Sequence, residues 1–239
     1  CCNQSGLDVE DIVLEPLSSS QAVLSPDEQE VGVVLVDIGG GTTDVTIYSE
    51  GSIVHTAVLA LGGNHLTHDI AIGLGAPLHE AEEIKHNFGV AMSSMVKEDE
   101  MIDVPSVGGR NNRTMKKRVL ASIIEDRFRE IFELITHEIE KTHFHTLMAS
   151  GVVITGGTCI MPGADRLASQ VLNLPVRVGY PENIAGLREM IYSPKYATSV
   201  GLVRYGITSN QGKLNFVGDD TNLFHKVSRR MKDWMQDFF

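Results

Sequence analysis

Four apolar residues in a row, Val33 to Val36, end on the acidic Asp37, and Val45 to Tyr48 supplies a second β-rich run after a six-residue turn. An unbroken apolar run bounded by turn residues predicts a strand buried on both faces, and the pair predicts a hairpin. Upstream, residues 6–14 read as a turn and short strand, 17–24 as a helix and 25–30 as a polar linker. Downstream, 53–59 predicts a third strand and 61–72 a helix opening on Gly62 and Gly63. Residues 79–88 put Ala81, Ile84 and Phe88 on one helical face, and 90–112 mix Ser, Gly, Pro and charge into short β-like pieces. The longest helical period runs from 113 to about 147, with Val119, Leu120, Ile123, Ile124, Phe128, Ile131, Phe132 and Ile135 recurring at three and four residues. A second apolar strand at 151–155 ends in paired glycines; 165–172 predicts a helix, 176–178 a strand and 196–203 a small-residue helix.

The tip of the first hairpin carries the first chemistry. Gly39, Gly40 and Gly41 have no Cβ to hold a ligand off, so their N–H groups can turn toward an anion. Thr42 and Thr43 add hydroxyl donors, and Asp37 stands where a strand-end carboxylate can hold hydrated magnesium. The loop is not a Walker A motif, since no Lys follows the glycines, and no helix opens directly behind it as a dinucleotide fingerprint requires. Asp37-Ile-Gly-Gly-Gly-Thr-Thr-Asp44 resembles the second phosphate loop of the actin, Hsp70 and sugar-kinase superfamily.

Composition narrows the class. With 239 residues the chain can bury a substantial core, and its formal charge of −11 argues against a nucleic-acid partner. Three cysteines make no disulfide framework, which fits a reducing compartment. There is no secretory signal and no apolar run long enough to span a bilayer. The chain starts at Cys1 as though in the middle of a fold, and is read as a fragment. His65, His68 and His79 lack a second ligand cluster at metal spacing and read as surface residues.

Other positions gain roles from the superfamily resemblance. It implies that Glu15, before Pro16, orients an attacking water, although an exposed strand-end Glu is an equal reading. Gly62 and Gly63 face phosphate or simply form a turn. Glu82 and Lys85 touch adenosine or make an ordinary solvated pair at i, i+3. The second glycine loop is similar to the superfamily's adenosine loop, which implies nucleotide contact by Gly156, Gly157, Thr158 and Met161. The helix at 196–203 resembles an interlobe helix.

The tail distinguishes the superfamily's members. Residues 209–222 form a polar linker, and 223–239 wind, at roughly 100° per residue, into a helix with one apolar arc. Leu223, Phe224, Val227, Met231, Trp234, Met235, Phe238 and Phe239 line that arc. Lys226, Arg229 and Arg230 sit on the polar face, and four Lys and Arg against two Asp give the segment +2. A wide aromatic face with a cationic reverse predicts a helix lying in an anionic membrane surface.

An actin-like order of loops followed by a basic aromatic tail resembles the FtsA family of bacterial cell-division proteins, including Leu-Gly-Gly-Asn-His-Leu-Thr-His-Asp-Ile-Ala, Ala-Glu-Glu-Ile-Lys and Ile-Thr-Gly-Gly-Thr. The fold implied is α/β, an actin-like (ribonuclease H-like) ATPase lobe with an inserted α+β subdomain. The implied domains are 1–30 as the remnant of a first lobe with an interlobe helix, 31–78 plus 151–193 as the second lobe, and 79–150 as the inserted subdomain. A second interlobe helix at 194–208, a linker at 209–222 and a membrane helix at 223–239 complete the order. The resemblance further implies ATP and magnesium as cofactors, an actin-like polymer with itself, contacts with other division proteins, and tethering of the FtsZ ring to the cytoplasmic face of the inner membrane at the division site. FtsZ's C-terminal peptide would dock near Arg113, Lys116 and Lys117, part of a basic cluster whose charge opposes the helix dipole there. Family members begin with another lobe carrying the first phosphate loop, so this chain alone is expected to bind ATP poorly and not to hydrolyse it. The alternatives are an Hsp70-like chaperone ATPase and a small-molecule kinase.

Overall fold

The computed structural model describes residues 2–106, 112–142, 149–182 and 191–214. It divides into two units, Cys1–Val203 and Arg204–Phe239. The first is built on a five-stranded sheet of order β3-β2-β1-β6-β7. The strands are β1 (Val33–Ile38), β2 (Thr43–Ser49), β3 (Ser52–Leu59), β6 (Val152–Thr155) and β7 (Val176–Val178). β1, β2 and β3 form an antiparallel meander, while β6 and β7 lie parallel to β1. A separate pair, β4 (Met101–Val104) and β5 (Arg113–Lys116), forms a small antiparallel sheet.

Every residue of β1 is buried because the sheet is covered on both sides. Val34, Val36 and Ile38 pack with α3 (Gly63–Leu74), α4 (Leu78–Phe88), α5 (Lys117–Lys141) and α6 (Ala164–Leu172). Val33 and Leu35 pack on the other face with Ala22 and Val23 of α1 (Glu15–Val23) and with Ala197 and Val200 of α7 (Ala197–Leu214). Pleating puts Asp37 on that second face, between α1 and the start of α7. β3 alternates exposed and half-buried residues, as an edge strand should.

α5 holds the large core together, with Phe128 and Phe132 stacked at 5.7 Å among fully buried Leu and Ile side chains. Several expectations need correction. Residues 25–30 are not a linker but mostly α2 (Pro26–Val31), whose N-terminus is closed by a Ser25–Glu28 capping box. Residues 7–14 form no strand, having no sheet partner among the described residues. Arg113–Lys116 is strand rather than the first turn of α5, and Val119 is exposed rather than core. Helix α7 runs through Leu214, past the point where the linker was expected to begin. The amphipathic tail, from Leu223 on, lies outside the described residues.

Candidate functional site

Three loops meet at one end of the sheet: the β1–β2 tip, the N-terminus of α3, and the turn after β6. Their contact is backbone on backbone. Gly63 N–H donates to Gly39 O at 3.0 Å and Asn64 N–H to Gly40 O at 2.7 Å. Thr158 Oγ1 donates to the same Gly39 O at 2.9 Å. A Cβ at Gly62 would stand 2.7 Å from Gly39 O, and one at Gly156 would stand 2.5 Å from both Asp37 Oδ1 and Ile38 O. Gly156 also has φ +92, a region that excludes most side chains.

The glycines therefore separate into two groups. Gly62, Gly63 and Gly156 are small so that the loops can close on one another, and the first N–H groups of α3 are spent on hairpin carbonyls rather than left for a ligand. Gly40, Gly41 and Gly157 are exposed. With Gly39 O and Gly40 O turned toward α3, the N–H groups of Gly40 and Gly41 have no acceptor among the described residues. Thr43 is buried and gives its hydroxyl to Leu61 O at 2.8 Å, so it is a fastening of the loop rather than a free donor.

Beside these loops opens a cavity of about 560 Å³, within the range of ligand sites. Of the residues expected to hold nucleotide, Gly40, Gly63, Glu82, Lys85, Gly157, Thr158 and Met161 line it. Gly39, Gly41, Thr42, Gly62, Gly156 and Asp37 do not line it. Asn64, His86, Gly89, Ile160, Pro162 and Lys195 also line it. Asn64 and His86 each follow an expected residue by one position; Lys195, in the turn before α7, carries no motif at all.

Lys85 and Glu82 are not a solvated pair. Lys85 is buried, and its Nζ donates to Gly63 O at 3.1 Å, Thr67 Oγ1 at 2.8 Å and Glu82 Oε2 at 2.7 Å. All three ammonium hydrogens are used, and the lysine ties α4 to the start of α3. Burial works against ionisation of Glu82, but hydrogen bonds from Lys85 and Thr67 outweigh it and hold the carboxyl below its ordinary range. His86 Nε2 lies 3.0 Å from Glu82 Oε1.

On the opposite face of β1 is an acidic group. Burial pushes the Asp37 carboxyl up to about 6; a hydrogen bond from Ser19 opposes this, while the charges of Glu15 and Asp44 reinforce it. Asp44 is raised by burial and by Glu15, against a hydrogen bond from Thr42. The three carboxylates do not converge on a first coordination shell among the described residues. Spread in this way around a buried acid, they suit a magnesium ion that keeps its waters better than one held directly by protein oxygens.

Of the basic residues expected to meet a partner, Arg113 donates to Leu74 O at the end of α3. Lys117 pairs with Glu100 at 2.7 Å. Lys116 is exposed.

A family model described as "Cell division protein FtsA" matches residues 34–201. Over its full length the chain is 40% identical to the cell division protein FtsA of Pseudomonas aeruginosa, covering 58% of that protein. Over 98% of its length it is 39% identical to the FtsA of Escherichia coli, again covering 58%. The chain thus spans under two thirds of the length of these relatives. Among solved structures, MreB5 of Spiroplasma citri bound to ADP matches with a TM-score of 0.71 at 20% identity, over 89% of this chain and 64% of that one. A PilM–PilN type IV pilus biogenesis complex matches with a TM-score of 0.63 at 17% identity, over 86% of this chain and 55% of that one. The fold is the actin-like ATPase fold.

Proposed function

The chain belongs to the FtsA family of cell-division proteins, and on that premise we propose that it is the part of a membrane tether that holds a magnesium nucleotide and carries the lipid-binding tail. The observation that carries the nucleotide reading is the cavity lined by Gly40 and Gly157, both exposed and both with nothing nearer than 3.6 Å to an added Cβ among the described residues. Unpaired N–H groups at Gly40 and Gly41 receive phosphate oxygens. The Gly89, Ile160, Met161 and Pro162 side of the cavity receives the base. Magnesium, when bound, neutralises phosphate charge; Asp37, with Glu15 and Asp44 behind it, holds the waters of that ion. Glu82 and Lys85 act on the nucleotide through the wall they brace. MreB5 structures with ADP and with AMPPNP support this reading by likeness of fold.

The domain boundaries read from sequence belong to the same proposal: a discontinuous lobe at 31–78 and 151–193 around a subdomain at 79–150. The FtsZ C-terminal peptide docks on that subdomain, where Lys116 and Arg113, the latter tied to Leu74 O, are both exposed. Copies of the chain assemble in an actin-like polymer, and other division proteins join it at the inner face of the membrane. Residues 223–239 lie along the anionic lipid surface, inserting Trp234, Phe238 and their apolar neighbours. Basic residues contribute about 1 kcal/mol each near such a surface, so apolar insertion supplies most of the binding. The chaperone-ATPase and kinase alternatives fall away with membership of this family.

Co-sedimentation with vesicles containing anionic lipid tests the tether. The intact protein pellets with vesicles, and the same protein cut before Leu223 stays in the supernatant. Equal partitioning of the two would remove the membrane role.

A further inference from the structure

Ser19 lies in the middle of α1 and is fully buried. A helical serine commonly spends its proton on a carbonyl one turn back, as Ser20 does on Leu17 O at 2.9 Å. Ser19 instead donates to Asp37 Oδ2 at 2.5 Å. Its oxygen lies 3.1 Å from Thr198 Oγ1, in the first turn of α7. Thr198 Oγ1 reaches Glu15 Oε1 at 3.3 Å and stands 3.5 Å from Asp37 Oδ2. Two hydroxyls thus span two carboxylates drawn from α1 and β1. The helix pair carrying them is itself in fixed register, because Ser18 Oγ donates to Thr198 O at 2.6 Å and a Cβ at Gly201 would overlap Ser18 O at 1.7 Å.

We propose that Ser19 and Thr198 are positioning residues: their hydroxyls fix the rotation of the Asp37 carboxylate, and the approach of Glu15 to it, so that a hydrated divalent cation accompanying a nucleotide is received in one geometry. The inference rests on the nucleotide reading above. Its physical basis is that a carboxylate can rotate about its terminal torsion, whereas one whose Oδ2 accepts a short bond from a buried hydroxyl cannot do so without breaking that bond. Oδ1 faces the Gly156 position, where an added Cβ would stand 2.5 Å from it. Partners of this kind commonly matter to cation affinity almost as much as the ligands themselves.

The test uses the protein as its gene encodes it. Binding of a fluorescent ATP analogue is followed while magnesium is titrated, and again in EDTA, for the unmodified protein, Ser19→Ala, Thr198→Val and Thr198→Ser. Ser19→Ala raises the magnesium concentration at half-effect by about tenfold. Thr198→Val, which keeps the shape but loses the hydroxyl, moves it the same way, and Thr198→Ser restores the original value. Affinity in EDTA stays unchanged throughout. If Ser19→Ala fails to fold, the Thr198 pair decides. Magnesium-dependent binding that neither Ser19→Ala nor Thr198→Val alters overturns the positioning role. So does an equal loss of affinity with and without magnesium, which would mark the two hydroxyls as packing only. Binding by the unmodified protein that ignores magnesium overturns the cation reading itself, and the positioning role with it.

Discussion

Asp37 is a residue kept at a cost to the fold. Its ordinary value is 3.8 and in the folded chain it is raised to about 6. Between those values the native state holds a proton that the unfolded chain has released. The stability this group contributes is therefore complete below pH 3.8 and is lost as the pH rises through about 6. Asp37→Asn removes the titration, so in EDTA at pH 7 the variant is more stable than the parent by about 1–3 kcal/mol. Denaturant unfolding at pH 4, 5, 6 and 7 checks the sign: the gap between variant and parent widens with pH. A variant less stable than its parent at pH 7 would show that the carboxylate is already compensated by the protein. At this scale the sequence is informative about residue type but not about role. The glycine loops are visible as motifs, yet whether a given glycine faces a ligand or another loop depends on contacts between residues far apart in the chain. Gly62 and Gly156 look like Gly40 and Gly157 until their neighbours are known.

At the scale of elements, what was legible follows how local the determining interaction is. β1, β2 and β6 declare themselves by apolar runs, and α5 by its stripe. α2 has a local signal too, the Ser25-x-x-Glu28 capping box, but its polar composition suggests a linker. β5 carries no such signal: Arg113 to Lys116 becomes strand because residues 101–104 pair with it. Close crossing of α1 and α7 is likewise a tertiary fact, written in the sequence only as a small residue at Gly201. Two glycines of α7 separate crossing from helix propensity. Gly201→Ala must push Ser18 O aside and destabilises by at least about 1–3 kcal/mol. Gly206→Ala meets nothing within 4 Å among the described residues and stabilises by about 0.5–1 kcal/mol. Thermal melts of the two variants move in opposite directions. A common direction would mean that the crossing does not limit this helix.

For the whole molecule, two loops separated by more than a hundred residues of sequence are joined through Gly39 O, which accepts from Gly63 N–H and Thr158 Oγ1 together. That carbonyl makes the first hairpin, α3 and the turn after β6 one rigid rim, with the cavity beside it. The order of loops along the chain gives the fold family, but only folding places Lys195 and His86 on the same cavity as Gly40. On this reading the cavity holds the nucleotide. Calorimetric titration of magnesium–ATP into the protein as its gene encodes it, and into its Gly157→Val variant, tests this most directly. A Cβ at Gly157 meets nothing closer than Lys195 Cβ at 3.7 Å among the described residues, so a side chain can start from this position, and the melting temperature of the variant checks that the valine leaves the fold intact. Heat of binding is expected from the unmodified protein and none from the variant at an unchanged melting temperature; equal binding by both would place the nucleotide elsewhere.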